Sequence, residues 1–196
     1  ILINALVLAN ALLHDPRRGY DAKDHLDYIQ ALGERRRIPT CAESAQCYIP
    51  PLPYMLPALL LATGRVTLLQ AAKLAQLANV VVSLGLTYYL LKICALLKPE
   101  DIRLRISSLA LFGILPVFYK TFSLIRGEVY LPLLVVLLAY LLLSIFMAGR
   151  ATTANILLTG AAAGLAILAR QWGFLALPAV FIFMAGLVPR DRSNLR

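Results

Sequence analysis

The chain has 196 residues, of which 60% are hydrophobic and only 15% charged; its net charge is +9 and its mean hydropathy +0.76. Apolar runs able to cross ~30 Å of hydrocarbon recur along most of it, which excludes an ordinary soluble domain. The runs are rich in Leu, Ala and Val without strict alternation, which argues against a β-barrel, and the positive charge lies in loops between them.

The fold class expected is therefore an all-α polytopic membrane protein, with residues 1–196 forming a single transmembrane domain. Loop cations between apolar runs are explained by membrane orientation and lipid phosphates, so membrane lipid is the expected partner and nucleic acid is not. The chain opens inside an apolar run without Met and closes after Arg190-Asp191-Arg192, and so reads as a fragment of a longer protein. Residues 1–13 suit a truncated first crossing better than a signal-peptide core, because Pro16, Arg17 and Arg18 follow in place of a small-residue cleavage site.

Residues 14–51 then form a long first external loop carrying an acidic motif. Within it, Leu26, Ile29 and Leu32 fall near helical spacing, with Asp27, Gln30 and Glu34 elsewhere on the wheel. That pattern predicts a short amphipathic, interfacial helix. Cys41 and Cys47 share this loop and could bridge if it faces an oxidising compartment, whereas Cys94 lies in an apolar run and reads as inert packing.

Pro50-Pro51 opens an apolar stretch, 52–63, that is short for a crossing. Residues 67–188 are expected to supply about five further membrane helices, over 68–97, 104–122, 129–147, 156–169 and 172–188. If 52–63 does not cross, the cations Lys98, Arg103, Arg105, Arg150, Arg190, Arg192 and Arg196 share one face, which reads as cytoplasmic. The opposite face then gathers the Asp21 loop, the Arg126-Gly127-Glu128 turn and the Arg170-Gln171-Trp172 turn.

Polar groups at these helix ends are the candidates for chemistry. Asp21 could act as a general base on an acceptor hydroxyl or amine, or it could cap the helix that follows it. Asp24 and Asp27 read as solvated positions. His25 could shuttle protons or bind metal, but no His, Cys or carboxylate spacing resembles a zinc site, so no metal ligands are assigned and a divalent metal is without support. Glu128 could face the same cavity as Asp21, or simply sit in a turn. Lys120, embedded in an apolar passage, could snorkel or meet an anionic head group. Arg170, which would cost ~2.5–3.5 kcal/mol at mid-membrane, could hold a lipid phosphate at the interface, or be an ordinary loop arginine. Gly160 and Gly164 have the spacing of a close helix-packing motif. Phosphate-cradling glycine loops, Ser/His/Asp arrangements and CxxC motifs are absent.

The order of these motifs resembles the GT-C superfamily of integral-membrane glycosyltransferases, in the branch of protein O-mannosyltransferases and lipid A aminoarabinose transferases. The resemblance rests on Tyr20-Asp21-Ala22, Tyr28-Ile29-Gln30-Ala31-Leu32, Pro50-Pro51-Leu52-Pro53-Tyr54, Gly127-Glu128 and Gly164-Leu165-Ala166-Ile167-Leu168-Ala169-Arg170. Three positions depart from the family pattern: Ala22 replaces the second acid of the usual pair, Ile49 stands where some members carry a base, and Arg170 replaces Lys.

The resemblance implies a GT-C-like transmembrane helical bundle whose first external loop holds short juxtamembrane helices. It implies transfer of a sugar from a polyprenyl-phosphate donor to a protein, lipid or glycan acceptor. Asp21 would be the catalytic base and Glu128 a second acidic site residue. Arg170 and Lys23 would bind the donor phosphate, with His25, Tyr54, Lys120 and Arg126 as further candidates. The lipid-linked sugar is then the donor, with no cofactor certain, and the protein would lie in a plasma (inner) membrane with its site facing periplasm or exterior. A secondary transporter is the first alternative, although the chain lacks an internal repeat. A non-catalytic membrane assembly subunit is the second.

Overall fold

A computed structural model describes residues 2–148 and 152–187. The order of elements is α1 (Leu2–Leu13), α2 (Ala22–Glu34), α3 (Leu52–Ala62), α4 (Leu68–Leu97), α5 (Ile102–Ile114), α6 (Pro116–Ser123), α7 (Tyr130–Ala148) and α8 (Thr153–Ala169). A 3₁₀ segment, Gln171–Ala176, then leads into α9 (Leu177–Leu187). Among the described residues there is no strand. The protein is all-helical, with two or three helices fit to cross a membrane.

Length separates the helices into classes. At ~1.5 Å per residue, the 30 residues of α4 extend about 45 Å, and the apolar stretch of α7 also meets the requirement. The Thr67 hydroxyl accepts from the Gln70 N–H while the Gln70 side chain accepts from the Thr67 N–H, a capping box that fixes where α4 starts. By contrast α1, α3, α8 and the 3₁₀–α9 segment are apolar but shorter. The eleven residues of α3 extend only about 16 Å.

The single run expected over 104–122 is broken: α5 and α6 meet at a bend of 69°. Pro116 accounts for it. Proline has no N–H for the helical ladder, and its ring disfavours helical geometry at the preceding residue. Leu115 is extended accordingly, at φ −82° and ψ 106°.

The long helix α4 is the hub, packing against α1, α3 and α7. Its contact with α1 includes a buried polar network. The Asn4 amide donates to Thr87 Oγ1 at 3.1 Å, and the Ser83 hydroxyl donates to Asn4 Oδ1 at 2.6 Å. Lys73 on α4 donates to the Ala11 and His14 carbonyls, closing the C-terminal end of α1 with a cation.

The amphipathic helix forms as α2, and its inner face packs on α3, with Leu26, Tyr28, Ile29, Tyr54 and Leu61 in one buried cluster. Lys23 with Asp27, and Gln30 with Glu34, pair along its outer side. Another buried cluster joins α7 and α8 through Leu134, Leu138, Ala162, Ala163 and Ala166. That contact uses alanines rather than the glycine motif: among the described residues a methyl group added to Gly160 or Gly164 would meet nothing within 4 Å. Glycine spacing marks a smooth helix face without fixing which neighbour covers it.

Candidate functional site

Three polar breaks in the hydrophobic sequence meet at one end of the bundle: the 14–51 loop, the α6–α7 turn and the α8–3₁₀ turn. The loop is cross-linked and ion-paired. Cys41 and Cys47 form a disulfide. Glu43 binds both Arg35 and Arg37, and the hydrogen bond from Arg37, followed by that from the Thr40 N–H, holds its carboxyl well below the usual range. Asp24, read as solvated, ties the loop to α2 instead: its carboxylate accepts from the Ala45 N–H at 3.2 Å, and its carbonyl accepts from the Ser44 hydroxyl at 2.8 Å.

Asp21 occupies the residue before α2, yet its carboxylate caps nothing. Its backbone is left-handed, at φ 57° and ψ 20°, where an N-cap is normally extended. Aspartate tolerates this region better than most residues. The half-buried carboxylate accepts a hydrogen bond from Gln46 Nε2 at 3.1 Å. Gln46 Oε1 in turn accepts from the Tyr48 hydroxyl at 3.3 Å. The guanidinium of Arg170 lies over the Tyr48 ring at 5.7 Å, and Arg170 Nη2 reaches Glu128 Oε1 at 3.0 Å. One continuous chain of contacts thus runs Asp21, Gln46, Tyr48, Arg170, Glu128.

Two glycines make this approach feasible. A Cβ on Gly127 would lie 2.8 Å from Ile49 Cδ1 and 3.0 Å from Arg170 Nη1, so the acidic turn sits against the loop only without a side chain there. A Cβ on Gly173 would lie 2.2 Å from the Ala166 carbonyl oxygen, so the chain folds back onto the last turn of α8 only with glycine. That reversal fixes where Arg170 emerges. The arginine side chain is 12% exposed and that of Glu128 42%. Among the described residues Arg170 Nε and Nη1 are buried without a hydrogen-bond partner, leaving this guanidinium short of acceptors.

Behind the carboxylates lies a buried aromatic group. His25 Nδ1 and the Tyr54 hydroxyl are 2.7 Å apart, Tyr54 stacks on Tyr28 at 4.1 Å, and the Tyr28 hydroxyl donates to the Ile49 carbonyl at 2.8 Å. Burial pushes His25 down to about 4, against the opposing pull of Glu128 and Asp21. It is neutral at pH 7. Burial, reinforced by the Glu128 charge, raises the Tyr54 hydroxyl above its ordinary value, and burial pushes Tyr28 up to about 12.

Asp21, His25, Tyr54, Arg126, Glu128 and Arg170 thus share one electrostatic neighbourhood. Lys23 does not join them: its ammonium is on the exposed side of α2, 2.8 Å from Asp27. Lys120 is exposed and lines a cleft beside this group together with Arg126. Among the described residues no group of three or more His, Cys, Asp or Glu side chains is placed to hold a metal. Gln46 and Tyr48 are site residues without a local signal, because a glutamine and a tyrosine in a polar loop announce no chemistry until the fold sets them between Asp21 and Arg170. No protein-family model, curated protein or solved structure matches the chain.

Proposed function

We propose that this chain carries the acceptor-activating end of a membrane glycosyltransferase that uses a polyprenyl-phosphate sugar. One observation supports the reading above the others. Asp21 is an aspartate at a helix start whose carboxylate is not used for capping, and it is held by Gln46 in line with the Glu128–Arg170 pair. A backbone held in a sparsely populated conformation to aim a polar group is a feature of functional sites.

In the proposed reaction Asp21 takes the proton of an acceptor hydroxyl. The acceptor oxygen attacks the anomeric carbon and forms the new glycosidic bond. The bond from that carbon to the phosphate oxygen breaks, and its electron pair leaves with the polyprenyl phosphate. Cations at the same pole stabilise the departing charge, and Arg170, short of acceptors, is the one the family resemblance supplies. Glu128 balances Arg170 in the resting state. Neutral His25, bonded to Tyr54, backs the acidic pair without adding a competing cation.

The proposed orientation puts this pole outside the cytoplasm. The Cys41–Cys47 disulfide favours an oxidising compartment, and Lys98, Arg103 and Arg105 cluster beyond the other end of α4. The test is transfer of label from a panel of polyprenyl-phosphate sugars in membranes holding wild type or Asp21→Asn. The expected result is transfer by wild type and a loss of at least about 100-fold in the variant, the lower range for removing a general base. Equal transfer by both would remove Asp21 from the chemistry. Solute movement without covalent transfer would favour a transporter.

A further inference from the structure

A cleft of about 580 Å³ opens between the end of α1, the Gly19–Tyr20 turn and the α6–α7 connection. Its walls include Leu13, Tyr20, Lys120, Leu124 and Arg126, and among the described residues no carboxylate lines it. Among the described residues neither Lys120 nor Arg126 has an Asp or Glu oxygen within ion-pair distance, since the acid nearest in sequence, Glu128, is held by Arg170. The end of α1 would ordinarily present negative carbonyl ends to this cleft, but the Lys73 ammonium binds those of Ala11 and His14. Two cations without an ion-pair partner among the described residues therefore face a space in which the carbonyl ends of α1 are already neutralised.

We infer that this cleft is a binding site for a phosphate group carried on a lipid, with Lys120 and Arg126 as its two cationic contacts and Tyr20 as a hydroxyl donor at the rim. The lipid source follows from the surroundings. Leu12, Leu13 and Val117, on the helices that flank the cleft, are largely exposed, so an apolar tail can lie along α1 and α6 while its phosphate turns inward. Arg126 suits a phosphate because guanidinium binds it through two parallel hydrogen bonds, and Lys120 supplies a mobile point charge. Arg170 is less accessible to an incoming phosphate, being 12% exposed and already paired. Gly19 and Tyr20 directly precede Asp21, so a phosphate seated here arrives beside the proposed base. Identifying this ligand with the sugar donor rests on the proposed transferase function; lipid-phosphate binding itself does not.

The experiment uses the protein in phosphatidylcholine nanodiscs and a fluorescent polyprenyl monophosphate as probe. Wild type binds it. Lys120→Ala/Arg126→Ala weakens binding by about 100-fold or more, because two charge-assisted contacts are lost, each worth about tenfold or more. Lys120→Arg/Arg126→Lys restores most of the affinity, which separates loss of charge from loss of fold. Lys98→Ala, an exposed cation beyond the far end of α4, leaves binding unchanged. Unaltered binding by the double alanine variant would overturn the assignment. Displacement of the probe by an equal concentration of inorganic phosphate would overturn the lipid part. Asp21→Asn separates the two proposals: it keeps probe binding and loses transfer. Binding by wild type without transfer from any donor leaves the cleft standing and counts against the transferase. Transfer by wild type with undiminished binding in the double alanine variant does the reverse.

Discussion

His25 illustrates how burial decides the behaviour of a polar residue. In water an imidazole titrates near 6.5, but here burial lowers it to about 4. Between those values the unfolded chain binds a proton that the folded protein refuses. Stability is therefore greatest above pH 6.5 and falls as pH drops towards 4, by up to about 3 kcal/mol from this residue. Thermal unfolding of the detergent-solubilised protein should show that decline, and His25→Gln should flatten it. A decline of equal size in the variant would assign it to other groups.

Gly127 makes a second prediction at the same scale. Gly127→Ala forces a methyl group against Ile49 and the Arg170 guanidinium, which should destabilise the turn by about 1–3 kcal/mol and reduce transfer along with melting temperature. The same substitution at Gly160, where none of the described residues lies within 4 Å of the added methyl, should leave the melting temperature unchanged or slightly raised. Sequence alone does not distinguish these glycines. Spacing singles out Gly160 and Gly164, whereas Gly127 is constrained by neighbours that come from residues 49 and 170. Asp21 has the same history: its place before an amphipathic run fitted a cap, and only its backbone conformation and Gln46, 25 residues away, show that the carboxylate is used elsewhere.

At the scale of elements, apolar runs and turn residues revealed where helices form, because hydropathy and proline act locally. The amphipathic pattern of α2 shows on its packed and paired faces. Pro116 was a legible break that the apolar run 104–122 masked, since hydropathy is blind to a missing N–H. The Lys73 contact with α1 was not legible: a lysine near the start of a long helix reads as snorkelling until α1 is set beside it. Lys73→Ala should leave the Ala11 and His14 carbonyls without their charged donor and destabilise the α1–α4 contact by about 1.5–3 kcal/mol. Hydrogen exchange at the end of α1 is the measurement; unchanged protection there would show that Lys73 does not hold the helix.

For the whole molecule, the proposed site requires three separated polar segments to share one side of the membrane. Their convergence could be anticipated from charge and span counting if 52–63 does not cross, and α3, at eleven residues, is short for a crossing. The contacts that make the convergence specific, Arg170 with Glu128 and Arg170 with Tyr48, join residues 42 and 122 positions apart and lie beyond any local pattern. Sided chemical labelling tests that convergence most directly. In a Cys94→Ala background with Cys41 and Cys47 bridged, single cysteines at Tyr20, Trp172 and Pro99 would be exposed to a membrane-impermeant maleimide applied to one side of sealed vesicles. The account predicts that the Tyr20→Cys and Trp172→Cys proteins label from the same side and Pro99→Cys from the opposite one. Labelling of Tyr20→Cys and Trp172→Cys from opposite sides would contradict it, because Asp21 and Arg170 could not then belong to one site.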